Sequence, residues 1–296
     1  MPYDVIIGRS EKDREKYNIK GCVFLGRQYV KMGTITSLSN NVYLDVNRSH
    51  VVFICGKRGS GKSYTMGVIA EGISDLPEEV ANNISVIMLD TMGIYWTMKY
   101  PNRQDSKLLT DWGLRPKGLN VQIYTPFGYY EEYKEKGIPT DFPFSIKPNE
   151  LSSEDWCNTF ELSRNDPIGV LIEKTINTLK EKSEDYTLEN IIELIKNDNS
   201  SEAAIKSTAE NRFINAKSWG LFSEKGTTIK ELAQPGKVSV LDVSCYSTQP
   251  GSWGIKSLVI GIISQKLFIE RMIARKDEEY QSIKEAVHYF SEEKKG

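Results

Sequence analysis

The run VVFICGKRGSGKSYTMGVIAEGI, residues Val51–Ile73, restricts the fold more than any other stretch of this 296-residue chain. The apolar residues Val51 to Cys55 lead into a glycine-rich turn, and the residues from Lys62 onward have the composition of a helix. A continuous apolar run bounded by glycine predicts a strand covered on both faces, as in the centre of a parallel sheet. The turn, Gly56-Lys57-Arg58-Gly59-Ser60-Gly61-Lys62-Ser63, satisfies G-x-x-x-x-G-K-[ST] at every fixed position. Strand before and helix after are the context that this motif requires.

The chemistry follows from the residue types. Glycines permit positive φ and let the backbone approach phosphate oxygens closely. Successive N–H groups of such a turn form an anion-binding nest, and the helix that starts near Lys62 adds its positive end. Lys62 is expected to reach the β- and γ-phosphates, and the Ser63 hydroxyl to take one Mg²⁺ position. Lys57, Arg58, Ser60 and Tyr64 complete the expected nucleotide contacts, although Arg58 reads equally well as a solvated loop cation.

The rest of the chain supplies the scaffold. Residues 1–20 are polar and charged and predict a mobile or loosely docked leader. Residues 21–50 read as short β-like runs. ISVIMLD (84–90), VQIY (121–124) and KVSVLDV (237–243) read as further buried strands. Residues 127–150, rich in Tyr, Pro, Gly and Glu, predict an irregular excursion, and residues 152–219 a helical insertion on the sheet. Within that insertion Pro167 opens one helix, and Thr187 caps another with Asn190 three residues on. A long amphipathic helix is expected over 255–275, then a charged tail that holds Glu292 and Glu293. Strands alternating with helices predict an α/β fold, a largely parallel sheet with helices on both faces, and the glycine-rich motif places it among P-loop NTPases, a RecA/FtsK-like form of which is what the resemblance given below implies. The expected division is a leader (1–20), a short β-rich segment (21–50) and one P-loop domain (51–296).

Charge and cysteine content narrow the classes. A net charge of −2 excludes a strongly basic nucleic-acid coat, so any DNA contact must come from a local patch or a ring of subunits. Four cysteines without paired spacing suggest neither a metal site nor a disulfide framework. Cys55 reads as a small buried hydrophobe. No long apolar run marks a signal peptide or a membrane span, and the expected location is cytoplasmic.

An NTPase needs a carboxylate for the metal shell and one for the attacking water. No apolar run here is followed by Asp-Glu or Asp-Asp. Two runs end in a single acid, Asp90 and Asp242. Asp90 is the candidate catalytic residue, since ligands bind at the C-terminal ends of strands in open α/β sheets. Its alternative role is a cap at the strand end. A small-molecule kinase is disfavoured because residues 127–150 are acidic and aromatic where a phosphate-clamping lid needs basic residues.

Beyond the P-loop, four segments resemble the HerA-like branch of the HerA/FtsK ATPases. They are residues 42–73, VIMLDTMGIYW (86–96), WGLF with GKVSVLDV (219–222 and 236–243), and the helix 258–271, and His50 is a further match. The resemblance runs from about Gly21 to the C-terminus. It implies a ring-forming, usually hexameric, ATP- and Mg²⁺-dependent translocase on double-stranded DNA, which in HerA itself works with the NurA nuclease on DNA ends. It implies that residues 56–63 hold phosphate and magnesium and that Asp90 lies near the nucleotide. Where the family shows D-x-x-G-E-Y, this chain has Ile94 in the Glu position. The family's catalytic Asp/Glu strand follows the long helix, and no such strand precedes Gly296. The expectation is an incomplete motor with weak nucleotide binding, little hydrolysis alone and an exposed sheet edge. The alternative is a non-hydrolysing nucleotide-binding module. Arg271 and Arg275 are candidates to complete a neighbour's site, with surface salt-bridging as the alternative.

Overall fold

Strand and helix alternate through the chain as the apolar patterning requires. The computed structural model describes residues 3–182, 185–249 and 251–292. Glu293, expected in a solvated tail, lies outside them. The chain divides into two compact units.

The first unit comprises residues 1–124, 139–142 and 233–241. It contains β1 (Val5–Ile7), α1 (Glu11–Tyr17), β2 (Cys22–Met32), β3 (Ile35–Asp45), α2 (Lys62–Ser74), α3 (Glu78–Ala81), β4 (Val86–Asp90) and α4 (Ser106–Asp111). With them go most of β5 (Val121–Pro126), the start of β6 (Phe142–Phe144) and most of β7 (Val238–Asp242). Two sheets result. β1, β3 and β2 form a small sheet, with β1 parallel to β3 and β2 antiparallel to it. The larger sheet has the order β4-β7-β5-β6 and is all parallel and flanked by helices. In register, Val121 faces Val238 and Ile123 faces Val240. Ala70 of α2 packs with Met88, Tyr95, Val121, Ile123, Val238 and Val240 in one apolar cluster. Every residue of β7 is buried, as in a strand covered on both faces, with Ser239 and Asp242 enclosed beside Val238, Val240 and Leu241.

The second unit comprises residues 125–138, 143–232 and 242–296. Its helices are α5 (Phe127–Glu135), α6 (Ser153–Thr159), α7 (Pro167–Lys182), α8 (Leu188–Lys196), α9 (Ala203–Lys217), α10 (Ile229–Leu232) and α11 (Ser252–Glu292). Capping sets where they start. Ser152 and Asp155 form a capping box on α6, and Thr187 and Asn190 form one on α8. Trp156, Phe160, Phe213, Trp219 and Phe222 stack edge-to-face and tilted into an aromatic core.

Four expectations need correction. The residues Val51–Cys55, expected as a buried central strand, carry no ladder, and Val51 and Phe53 are 101% and 87% exposed. Apolar, β-branched residues keep this run extended, but burial needs neighbouring strands, and none of the described strands pairs with it. Cys55 is accordingly exposed. The leader is not free of structure, since Val5 pairs with Val42 and Ile7 with Leu44. Within it Ser10 caps α1 by accepting from the Asp13 N–H. The excursion 127–150 is not irregular throughout, for it contains α5 and β6. The start of α5 is held where Gly128 N–H donates to the Gly220 carbonyl at 2.8 Å. The last helix is also longer than expected, beginning at Ser252 and running to Glu292.

Candidate nucleotide-binding site

The glycine loop sits at the N-terminus of α2, in the first unit. Gly59 and Gly61 take φ of +79° and +86°, which only glycine adopts without strain. Gly61 is the N-cap of α2 and carries no side chain that could occupy the helix's free N–H groups. Gly56 faces the opposite side of the turn, where an added Cβ would lie 2.3 Å from Ser60 Oγ. The Ser60 N–H donates to the Lys57 carbonyl at 3.2 Å and closes the turn. Lys62 Nζ folds back over the loop, donating to the carbonyls of Gly56 at 2.8 Å and Lys57 at 2.9 Å. These weak neutral acceptors are readily exchanged for phosphate oxygens. Lys57, Arg58 and Tyr64 are exposed around the loop.

The Ser63 hydroxyl is exposed and makes no hydrogen bond to another described residue. That suits a magnesium site in which one hydroxyl and the nucleotide's own oxygens are the main ligands. No cluster of three or more His, Cys, Asp or Glu side chains able to hold a metal occurs among the described residues.

Asp90 ends β4, 2% exposed. Its Oδ1 accepts the N–H groups of Met92 at 3.0 Å and Gly93 at 2.8 Å, and its Oδ2 those of Ile94 at 2.7 Å and Tyr95 at 2.8 Å. The carboxylate thus folds residues 91–95 into a tight loop, which the positive φ of Gly93 (+67°) permits. Ile94 contributes its N–H to this clamp, so the position that is Glu in the resembled motif acts here through its backbone. Tyr95, fixed by the clamp, donates its hydroxyl to the Ser63 carbonyl at 3.2 Å. A continuous bonded path therefore joins the end of β4 to the first turn of α2. The sequence marked Asp90 and Gly93, but nothing in it signalled the Tyr95–Ser63 bond.

In the second unit, Asp242 is 4% exposed and accepts the Ser244 N–H at 2.9 Å. Arg271 pairs with Glu278 at 2.8 Å and Arg275 with Glu279 at 3.0 Å, both along the exposed surface of α11. Salt-bridging is thus what the structure shows for both arginines. On α9, Lys217 pairs with Glu189 at 2.6 Å and Arg212 is exposed.

A parallel sheet, a glycine loop with left-handed glycines and a helix opening at Lys-Ser are together the framework of a P-loop NTPase-like α/β protein. The family model described as "Helicase HerA, central domain" matches residues 30–261, well over half of the chain. The chain belongs to that family, which makes it an ATPase domain of the HerA/FtsK type. No curated protein matches it significantly. No described helix is long and apolar enough to cross a membrane.

Proposed function

We propose that this chain is the ATP-binding subunit of a HerA-like, ring-forming translocase on double-stranded DNA, with Mg²⁺ as the metal and little ATP hydrolysis by the chain alone. The observation that carries the reading is the glycine loop closed by Lys62 at the head of α2, within a chain of this family. Gly56 to Ser63 hold the phosphates, Lys62 neutralises their charge, and the Ser63 hydroxyl joins the metal shell. Tyr64, Lys57 and Arg58 flank the bound nucleotide. Low hydrolysis is supported by the state of the two strand-ending acids. Neither Asp90 nor Asp242 is followed by a second acid, and all the acceptor positions that Asp90 uses are filled by backbone N–H groups. Asp90 accordingly acts as the residue that positions the loop beside the nucleotide. The uncovered apolar residues Phe268, Ile269, Met272 and Ile273 of α11 support assembly into a ring, which in this family reading is a hexamer. A nuclease of the NurA kind, acting on DNA ends in the cytoplasm, is the partner such a ring would serve.

The test is ATP turnover by the purified chain with Mg²⁺ and double-stranded DNA, with Lys62→Ala as control, beside direct ATP binding. Binding that needs Lys62, with turnover no greater than that of the control, is the expected result. Turnover that disappears in Lys62→Ala would overturn the claim of low hydrolysis. Absence of ATP binding would overturn the assignment of the loop.

A further inference from the structure

A cavity of about 490 Å³ runs along the flank of α2 in the first unit. That volume is in the range of small-molecule sites. Its α2 wall is Tyr64, Gly67, Val68 and Glu71, spaced so that they share one helix face, and it opens at Ser63. Tyr95, Met98 and Leu119 face them, with Tyr100 and Arg115 also on the lining. The two ends on α2, Ser63 and Glu71, are about 12 Å apart at a helix rise of 1.5 Å per residue. That is about the span from the phosphates of a nucleotide to the far edge of its base.

Two features of this wall have no explanation within the protein. Gly67 sits inside α2, where glycine costs about 1 kcal/mol relative to alanine. A Cβ there would meet nothing closer than Tyr95 Cε1 at 4.0 Å, so no neighbouring side chain demands glycine. Close approach of a flat ligand would. The Glu71 carboxylate makes no hydrogen bond or ion pair with a described residue, its backbone carbonyl alone accepting the Asp75 N–H at the end of α2. Loss of solvation on the cavity wall pushes its carboxyl above the ordinary range, while Lys117, which opposes that shift, is itself paired with Asp75. Tyrosine and methionine walls suit an aromatic ring, and Arg115, without an ion pair among the described residues, can lie over its face.

We propose that this cavity is the base-and-sugar subsite of the nucleotide whose phosphates the loop holds, with Glu71 accepting a hydrogen bond from an exocyclic amine of the base. The proposal rests on the phosphate-binding reading of residues 56–63. It assigns Gly67 as the floor over which the ring slides and Glu71 as the residue that prefers an amino-purine to a keto-purine.

The experiment compares binding of Mg²⁺-ATP, Mg²⁺-ITP and inorganic tripolyphosphate to the full chain. ITP carries a carbonyl where ATP has the amine, and tripolyphosphate has no base. The variants are Gly67→Leu, the milder Gly67→Ala, Glu71→Ala and Lys62→Ala, each first checked to melt no lower than wild type. The wild type should bind ATP about tenfold more tightly than ITP. Gly67→Leu should weaken ATP at least tenfold, and Gly67→Ala less, with tripolyphosphate changed less than twofold by either. Glu71→Ala should bring ATP and ITP to equal affinity. Equal wild-type affinity for ATP and ITP, or Gly67→Leu binding ATP within twofold of wild type, overturns the subsite, as does a parallel loss of tripolyphosphate. If tripolyphosphate still binds and requires Lys62, only the subsite has failed. If the wild type binds neither ATP nor tripolyphosphate, the phosphate reading has failed and the subsite with it.

Discussion

Replacing Asp90 by asparagine separates a loop-clamping carboxylate from a catalytic one. The side chain keeps its shape, but only one of its two end groups remains an acceptor. Oδ1 can still take the N–H groups of Met92 and Gly93. The new amide nitrogen turns its own hydrogens toward the N–H groups of Ile94 and Tyr95, which now bond at 2.7 and 2.8 Å. A stranded donor in a buried setting costs about 1–3 kcal/mol, and hydrogen bonds to a charged acceptor lie at the strong end. Two such donors put the expected loss at roughly 2–5 kcal/mol. For a chain of this length that corresponds to a fall in Tm of about 3–8 °C. Thermal unfolding followed by circular dichroism reads it directly. ATP affinity should fall with it, because Tyr95 loses the loop that presents its hydroxyl to Ser63, and Tyr95→Phe should reproduce part of that loss with little change in Tm. An Asp90→Asn variant that melts within about 1 °C of wild type would refute the clamp. If such a variant also bound ATP normally but lost turnover, Asp90 would be the catalytic acid instead.

Thiol chemistry should distinguish Cys55 from its fellows. Cys55 is exposed one residue before the loop, whereas burial raises the thiols of Cys22 and Cys157, and burial with the nearby Asp242 pushes Cys245 up to about 12. A maleimide at neutral pH should label Cys55 first, and Mg²⁺-ATP should slow that labelling severalfold. Equal labelling of two or more cysteines would contradict the exposed run. Asp45 gives a pH signature. Burial works to raise its carboxyl, but the Arg9 guanidinium at 2.6 Å and the Asn47 N–H outweigh it and hold it below the ordinary range. A lowered folded pKa stabilises above the unfolded value and loses that contribution as pH falls, so the pair should weaken below about pH 4. Arg9→Ala should cost about 3–5 kcal/mol at neutral pH, and urea titrations at pH 7 and pH 3 should show that penalty shrinking in acid. Gly128 and Gly220 approach so closely that a Cβ on Gly128 would lie 2.5 Å from the Gly220 Cα. Gly128→Ala should therefore destabilise by about 1–3 kcal/mol, and a neutral result in urea unfolding would show that the two segments separate at no cost.

What could be read from the sequence is what is decided within a few residues. The glycine loop, the opening of α7 at Pro167 and the Thr187–Asn190 box depend on neighbours along the chain, and all three stand where the pattern placed them. The apolar strands β4, β5 and β7 were visible for the same reason, to within two residues at either end. Val51–Cys55 shows the limit of that logic. Its composition specifies an extended apolar segment, but burial is a property of what lies on either side, and composition is silent on that. β1 was missed because three residues have no periodicity to read, and their partner Val42 is 37 positions away. α5 was missed because its tyrosines and glutamates blur the apolar period, and its anchor, Gly220, lies on a distant segment. Asp90 combines both cases. An acid three residues before a glycine at a strand end is a local signal for a turn, and the four N–H groups it accepts are local too. The last link, from Tyr95 to the Ser63 carbonyl, spans 32 positions and exists only once β4 and α2 share one apolar cluster. Local rules thus built each half of the candidate site, and packing between Ala70, Met88 and Tyr95 joined them. Substitutions in that cluster should accordingly reach the glycine loop without touching it.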